Sequence, residues 1–204
     1  MTTASTAQVN AYAEVTAISG TTLTLSSAEE TYDTFEDGEQ AIIMQMQDDV
    51  AGGNLSNTVT FSNIANISSA GWWEYVTIVS HSESAGMPIS AVVGAPLTHV
   101  FHFGVKSRVQ LISFPQLGTP DFVTTEPITA VPWNGVYGGV VAFQVAGALE
   151  LAHDIRADYA GFRGGVPSSN FVGACASTVY TSNLANYAEK GEGEPVLLLH
   201  GFGA

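Results

Sequence analysis

The segment VTAISGTTLTL, residues 15–25, decides the fold class of this chain because it has the pattern of two short strands joined by a tight turn. Leu23 and Leu25 alternate with threonines, as a strand with one buried face requires. Gly20 begins the connection to the β-branched run that precedes them, and glycine favours a tight turn at such a position. The segment therefore predicts a β-hairpin or a tight rung of a coil.

Further strand-like segments follow on the C-terminal side of this hairpin. Short runs of β-branched, aromatic and aliphatic residues recur at 41–46, 73–80 and 108–114, with Gly, Asn, Ser or Pro between them. Such runs, bounded by turn-forming residues, are typical of strands. Helix signals are nearly absent, so we expect an all-β chain, built as a β-solenoid or as stacked β-sheets.

The strands also indicate an internal duplication. Residues 14–19 align with residues 75–80, about 61 positions further on. Two more strands follow each of these segments: 22–25 and 41–46 in the first copy, 89–93 and 109–114 in the second. This predicts a three-strand unit present twice within residues 1–126, with copies at about 9–70 and 71–126.

From residue 138 onward, glycines interrupt the apolar runs more often. Residues 138–151 read GGVVAFQVAGALEL, and residue 161 is again a glycine. Short strands recurring every dozen or so residues, with small residues at the corners, are typical of solenoid rungs. An antiparallel sandwich would have a similar pattern. We expect a glycine-rich, solenoid-like segment at 127–193 and an apolar C-terminal strand at 194–204.

Charge excludes some classes of partner. The 204 residues include 19 acids and 5 bases, a net charge of −14, while hydrophobic residues make up 46% and mean hydropathy is +0.20. This composition allows a packed core and argues against intrinsic disorder. An acidic surface repels phosphate backbones and anionic lipids, so we expect no nucleic-acid partner. No run of 18 apolar residues occurs, so we expect no membrane insertion.

Several features favour an extracellular or cell-surface protein. Thr, Ser, Asn and Gly are abundant, and lysine is scarce. The single cysteine, Cys175, cannot form an internal disulfide. The first eight residues lack a basic region and an apolar region, so no signal peptide is predicted in this sequence.

Separated motifs in one order resemble a known family. These are VTAISG at 15–20, DGEQAIIMQM at 37–46, PITAVPWNGVYGGVVA at 127–142, DYAGFRGG at 158–165 and EKGEG at 189–193. The chain is similar, over residues 9–193, to large Bacteroidetes proteins exported by the type IX (gliding-associated) secretion system, which resemble cell-surface adhesins and filament proteins. The resemblance implies a non-enzymatic surface or appendage domain. Residues 194–203 depart from the glycine-rich continuation expected in that family.

The C-terminal segment allows two interpretations. PVLLLHGFG at 195–203 is similar to the strand and oxyanion loop of α/β-hydrolases, but that fold needs a G-x-S-x-G elbow, which the chain lacks. A short apolar strand after the flexible residues 191–193 can instead add to the sheet edge of a neighbour. We therefore predict an assembly strand at Val196, Leu197, Leu198 and Leu199.

Acidic residues are the candidate metal ligands, and no other cofactor is expected. Asp33, Glu36, Asp37 and Glu39 crowd one loop, and hard oxygen ligands suit Ca²⁺. The spacing matches no known calcium loop, and a solvated acidic face is the alternative. Residues 48 and 49 are a second acidic pair. His99 and His102 point to opposite sides of a strand, so we interpret them as ordinary strand residues.

A glycine-rich run and three tryptophans are the remaining candidate structural and binding residues. The run Gly161, Phe162, Arg163, Gly164 and Gly165 predicts a structural corner in which the arginine holds backbone carbonyls or a carboxylate. The tryptophans Trp72, Trp73 and Trp133 are candidate surface aromatics that could stack on sugars. Because neighbouring strand residues face opposite sides, Trp72 and Trp73 cannot share one buried face.

Together these observations predict a structural or adhesive domain of an extracellular filament or appendage, assembling through β-edge contacts. Its partners would be further copies of the chain or other filament subunits. The alternative is a carbohydrate-binding module of a larger secreted protein that recognises cell-surface glycans. A polysaccharide-degrading β-helix enzyme would need a cleft of catalytic carboxylates or basic residues, which we cannot assemble from this sequence.

Overall fold

The computed structural model describes residues 7–48, 69–158, 160–161 and 199–200, and in these ranges the chain is all-β, as predicted. Six longer strands are β1 (Tyr12–Ser19), β2 (Thr22–Glu29), β3 (Gln40–Gln47), β4 (Trp73–Ser84), β5 (Met87–Val93) and β6 (Arg108–Ser113). Six two-residue strands are β7 (Phe122–Val123), β8 (Ile128–Thr129), β9 (Val140–Val141), β10 (Leu149–Glu150), β11 (Ile155–Arg156) and β12 (Leu199–His200). In the described ranges, no helix has the length and apolar character needed to cross a bilayer.

The six longer strands form a closed antiparallel barrel in the order β1-β2-β5-β4-β3-β6. The hairpin predicted at 15–25 is present: β1 and β2 are antiparallel, Ser19 pairs with Thr22, and Gly20 at the turn has a φ of 61°. The expectation of a solenoid or stacked sheets for this region is corrected, because β1 also pairs with β6 and closes the sheet on itself. Closure removes both sheet edges.

The strand order is consistent with a repeated unit. Exchanging β1, β2 and β3 with β4, β5 and β6 leaves every neighbour relation in the barrel unchanged. A duplicated three-strand unit would produce this symmetry. The predicted limits of the two copies stay a prediction, since residues 49–68 lie outside the described part of the chain.

Alternation along the strands fills the barrel interior. On β4, Val76 and Ile78 are buried between exposed neighbours, as one-sided burial requires. They join Ile43 of β3 and Leu111 of β6, which are fully buried. An aromatic side chain closes each end, Phe35 from the loop before β3 and Phe101 from the loop before β6. The described interior is a packed core.

After β6, the chain makes two stacked passes, 115–134 and 143–158, and we call the whole segment 115–158 the coil. Its parallel pairs are Gln116 with Gln144, Phe122 with Leu149 and Ile128 with Ile155, which are 28, 27 and 27 residues apart. This near-constant offset means that the second pass repeats the course of the first. Two passes do not amount to a β-solenoid, and the boundary predicted between 126 and 127 falls inside the first pass.

The coil packs against the outside of the barrel. The outward side chains of β3, including Ile42 and Met44, are fully buried because Trp133, Val140 and neighbouring residues cover them. The buried Asn10 side chain donates to the carbonyls of Ser113 and Ala142 and accepts from the Ala142 N–H. These contacts join barrel and coil.

Candidate functional site

One end of the barrel is closed by the loop 94–107, which joins β5 to β6. Gln45 of β3 holds this loop from inside: its Oε1 accepts the His102 N–H at 2.8 Å, and its Nε2 donates to the His102 carbonyl at 3.0 Å. Gln45 is fully buried. A buried amide must have such partners, so the pairing fixes the position of the loop.

A second set of polar contacts ties three segments together below this loop. The buried carboxylate of Asp48 lies 2.9 Å from His102 Nδ1 and accepts from the Ser69 hydroxyl at 2.6 Å and from its N–H at 3.1 Å. These are the residue types of a hydrolase triad, but there the serine hydroxyl bonds the imidazole. Here it bonds the carboxylate, and Ser69 is only 1% exposed. The arrangement therefore serves as a structural tie.

The sequence did not reveal this tie. His102 was interpreted as a strand residue, and the structure places both His99 and His102 in the loop 94–107. Asp48 lies 54 positions from His102 along the chain. No local spacing signals such a contact, because it depends on how the barrel closes.

The same loop exposes apolar side chains to solvent. Val105 is 90% exposed and Val100 69%, and Phe103 is exposed beside them. Trp72, also exposed, lies against the His99 ring with ring centres 4.9 Å apart. We call Trp72, Val100, Phe103, Val105 and the exposed Lys106 the apolar end of the barrel.

The opposite barrel end, formed by the loop 30–39 and the β4–β5 hairpin, is acidic. The Asp37 carboxylate accepts the His81 backbone N–H at 2.9 Å and lies 2.7 Å from His81 Nδ1. Glu83 lies 3.6 Å from the other ring nitrogen. The hydrogen bond with Asp37 raises the pKa of His81 above its ordinary value.

Two carboxyl groups at this end have pKa values above the ordinary value of a glutamate. Burial raises the pKa of Glu39, and the charges of Asp33 and Glu36 raise it further. Burial also raises the pKa of Glu30, although the hydrogen bond from the Phe35 N–H opposes this.

Among the described residues, these carboxylates are not gathered into a cluster of metal ligands. Asp37 is engaged with His81, and Glu36 accepts the Thr34 hydroxyl at 3.2 Å. One Asp33 oxygen is buried without a hydrogen-bond partner among the described residues. No group of three or more His, Cys, Asp or Glu side chains in these ranges could hold a metal ion. The Ca²⁺ expectation stays a prediction.

The three predicted surface tryptophans lie in different environments. Trp72 is exposed at the apolar end. Trp73 is partly buried on the outer face of the barrel, edge-on to Tyr75 at 5.2 Å. The prediction for Trp133 is corrected: it is only 8% exposed, because its side chain packs against the outer face of the barrel. Its backbone N–H donates to the Ala160 carbonyl at 2.7 Å.

Most of the predicted corner and of the assembly strand lies outside the described residues. Gly161 is buried at the end of a described range; the remaining corner residues Phe162, Arg163, Gly164 and Gly165 are outside, as are Val196, Leu197 and Leu198. The backbone of Leu199 is described: it pairs antiparallel with Val141, so β12 adds to the edge of β9.

The second pass of the coil leaves part of its core uncovered. In a parallel pair, residues in register stack on the same face, so Leu149 lies over Phe122 and Ile155 over Ile128. Ile128 is 2% exposed, whereas Leu149 is 38% exposed and Ile155 is only partly buried. Within the described residues, the second pass therefore leaves Leu149 exposed and Ile155 only half-buried.

Comparison with known proteins adds no relative. No family model matches the chain, and searches of curated proteins and of solved structures return no match either.

Proposed function

We propose that this chain is a non-enzymatic structural or adhesive domain of an extracellular surface filament or appendage, whose copies join through β-edge contacts. The resemblance to type IX secreted proteins of Bacteroidetes implies this setting. The incompletely covered second pass of the coil, with Leu149 exposed and Ile155 half-buried in the described residues, is the observation that carries the proposal. Apolar side chains left uncovered on such a stack favour a partner that covers them.

The barrel supports a structural role in a different way. Its described interior is filled by the chain's own side chains, Ile43 and Leu111 among them, and Phe35 and Phe101 close its ends. Ligand-binding barrels of this kind keep a cavity for the ligand. A filled barrel is better suited to serve as a rigid body that carries interaction surfaces.

The C-terminal strand offers the second β-edge contact. In the described backbone, β12 pairs with β9 of the same chain. Residues 162–198 separate β12 from the coil, a connection long enough to reach a neighbour's β9 at about 3.3 Å per extended residue. We propose that β12 adds to β9 between copies, and that further passes at the 27-residue offset make the coil solenoid-like.

Truncation tests this proposal. The full chain and a variant that lacks residues 195–204 would be compared by sizing chromatography and negative-stain microscopy. We expect ordered oligomers or fibres from the full chain and their loss on truncation, because β12 is removed. Circular dichroism serves as the control that the barrel stays folded. A monomer in both forms at every concentration would refute the proposal.

A carbohydrate-binding module is the alternative function, and exposed aromatic residues favour it. Tyr75 is exposed and lies edge-on beside the partly buried Trp73 on the outer face of β4, so the Tyr75 ring is the one available to stack on a sugar. Trp72 is exposed on the other side of the strand and cannot join the Tyr75 ring in this contact. Slower migration of the chain in polysaccharide-containing gels, abolished by Tyr75→Ala, would support this function.

A further inference from the structure

The apolar end of the barrel has the properties of a docking surface. Val100, Phe103 and Val105 are neighbours on one loop and expose their side chains, although Gln45 and Asp48 hold that loop firmly in place. A fixed, exposed apolar cluster is unusual on a monomeric protein and marks an interaction site.

The charge at this end differs from that of the rest of the chain. Lys106 is exposed beside Val105 and forms no ion pair within the described ranges. Among the described residues, the acids nearby are already engaged: Asp48 is buried, and Glu74 accepts the N–H groups of Thr98 and His99 at 2.9 and 3.0 Å. A partner surface would therefore meet apolar side chains and one available positive charge.

The acidic end is complementary to this surface. It carries the carboxylates Glu29, Glu30, Asp33, Glu36, Asp37, Glu39 and Glu83. Its cationic group is His81, already paired with Asp37. Tyr32 and Met87 are exposed among these acids, so the acidic end also offers apolar contacts.

The two ends face away from each other. Gln47, where β3 ends, pairs with Arg108 next to the apolar end, whereas Ala41, where β3 begins, pairs with Ser113 near the acidic end. The eight residues of β3 separate the two ends by roughly 25 Å. One copy therefore cannot bring its own two ends together.

We propose that the apolar end of one copy docks onto the acidic end of a second copy, with Lys106 placed among the carboxylates of the loop 30–39. The apolar side chains supply most of the affinity, and the charges orient the copies. The two surfaces differ, so the contact is heterologous and repeats head to tail into an open chain. This inference rests on the proposed self-assembly and names a contact distinct from the C-terminal strand.

Sedimentation velocity across a concentration series tests the contact. Lys106→Glu and Val105→Asp should each raise the concentration needed for association by about tenfold, because they place a negative charge opposite the acidic end. Val123→Asp is the matched control for Val105→Asp: it makes the same substitution at an exposed valine on the first pass of the coil, outside the proposed contacts, and should leave association unchanged.

A charge exchange provides the second test. Glu36→Lys in the Lys106→Glu background should recover most of the lost association. Equal association of Val105→Asp and Val123→Asp would overturn the head-to-tail contact. If, in that case, deletion of residues 195–204 still abolished assembly, the proposed function would stand without the head-to-tail contact. Wild-type chain that stays monomeric at every concentration would overturn both.

Discussion

The barrel and the coil are built from similar residues but are held together in different ways. Barrel strands have six to twelve residues and form continuous antiparallel ladders, whereas coil strands have two residues each. The coil keeps its register with side chains: Thr124 Oγ1 donates to the His153 carbonyl at 2.9 Å and accepts its N–H at 2.7 Å. Asp121 likewise accepts the Ala148 N–H at 2.7 Å. Long ladders of backbone hydrogen bonds hold the barrel strands together, whereas side-chain hydrogen bonds align the two passes of the coil.

A glycine shows how closely the two passes fit. A Cβ on Gly147 would lie 2.1 Å from Asp121 Oδ1 and 3.0 Å from the Pro120 carbonyl carbon. A larger residue would displace the Asp121 carboxylate from the Ala148 N–H and would press on the backbone at Pro120. Gly147 therefore leaves room for a hydrogen bond that aligns the two passes.

The largest expected effect comes from the barrel core. Leu111→Ala should lower the free energy of unfolding by about 2–5 kcal/mol, because Leu111 is fully buried and the surrounding strands cannot collapse around the cavity. Urea denaturation followed by circular dichroism measures this loss.

The matched change in the coil, Leu149→Ala, should cost under about 1 kcal/mol, since that side chain is 38% exposed. Equal losses in the two variants would show that barrel and coil contribute alike to stability. The contrast between a closed core and an open stack would then be wrong.

A smaller effect is expected where barrel and coil meet. Asn10→Ala should cost about 1–3 kcal/mol, because it leaves the buried N–H and carbonyl of Ala142 and the Ser113 carbonyl without this partner. Hydrogen exchange should speed up at residues 140–142 more than at the β1–β2 hairpin.

Tyr12→Phe serves as the comparison for Asn10→Ala. Burial raises the pKa of Tyr12, so its hydroxyl is a neutral donor, and it bonds the Val140 carbonyl. Loss of this bond alone should cost about 1 kcal/mol. If both variants exchanged like the wild type, barrel and coil would be joined by apolar packing and not by these hydrogen bonds.

The smallest effect concerns pH at the acidic end. The pKa of His81 is raised from an ordinary value of 6.5, so its contribution to stability is fully present below 6.5 and is lost as pH rises through the folded-state value. The raised pKa values of Glu30 and Glu39 act in the same direction, from about pH 4.5 upward. Stability at pH 8 should be below that at pH 6 by under about 1 kcal/mol, because the pair is partly exposed.

His81→Gln isolates the histidine in this pH dependence. It keeps the backbone bond to Asp37 and removes the titrating ring, so the fall in thermal midpoint between pH 6 and 8 should flatten. An unchanged slope would assign the pH dependence to other groups.

Strand pattern and turns could be predicted from local sequence. The alternation of Leu23 and Leu25 with threonines, and Gly20 before them, correctly placed the β1–β2 hairpin. Trp133 was mistaken for a surface residue because nothing in its neighbourhood shows that β3 and the coil cover it. The tie between Asp48 and His102, and the complementary ends of the barrel, were missed for the same reason.

The sequence by itself determined that the chain is all-β, where its first hairpin turns, and that one loop concentrates acid. Period-two alternation and glycine turns are local properties, so they can be read without knowledge of the partners. Tertiary structure alone decided that β1 closes onto β6, that the passes of the coil stack 27–28 residues apart, and which side chains lie between barrel and coil. These depend on contacts between residues distant in the chain, and they are selected by which arrangement buries the apolar faces together.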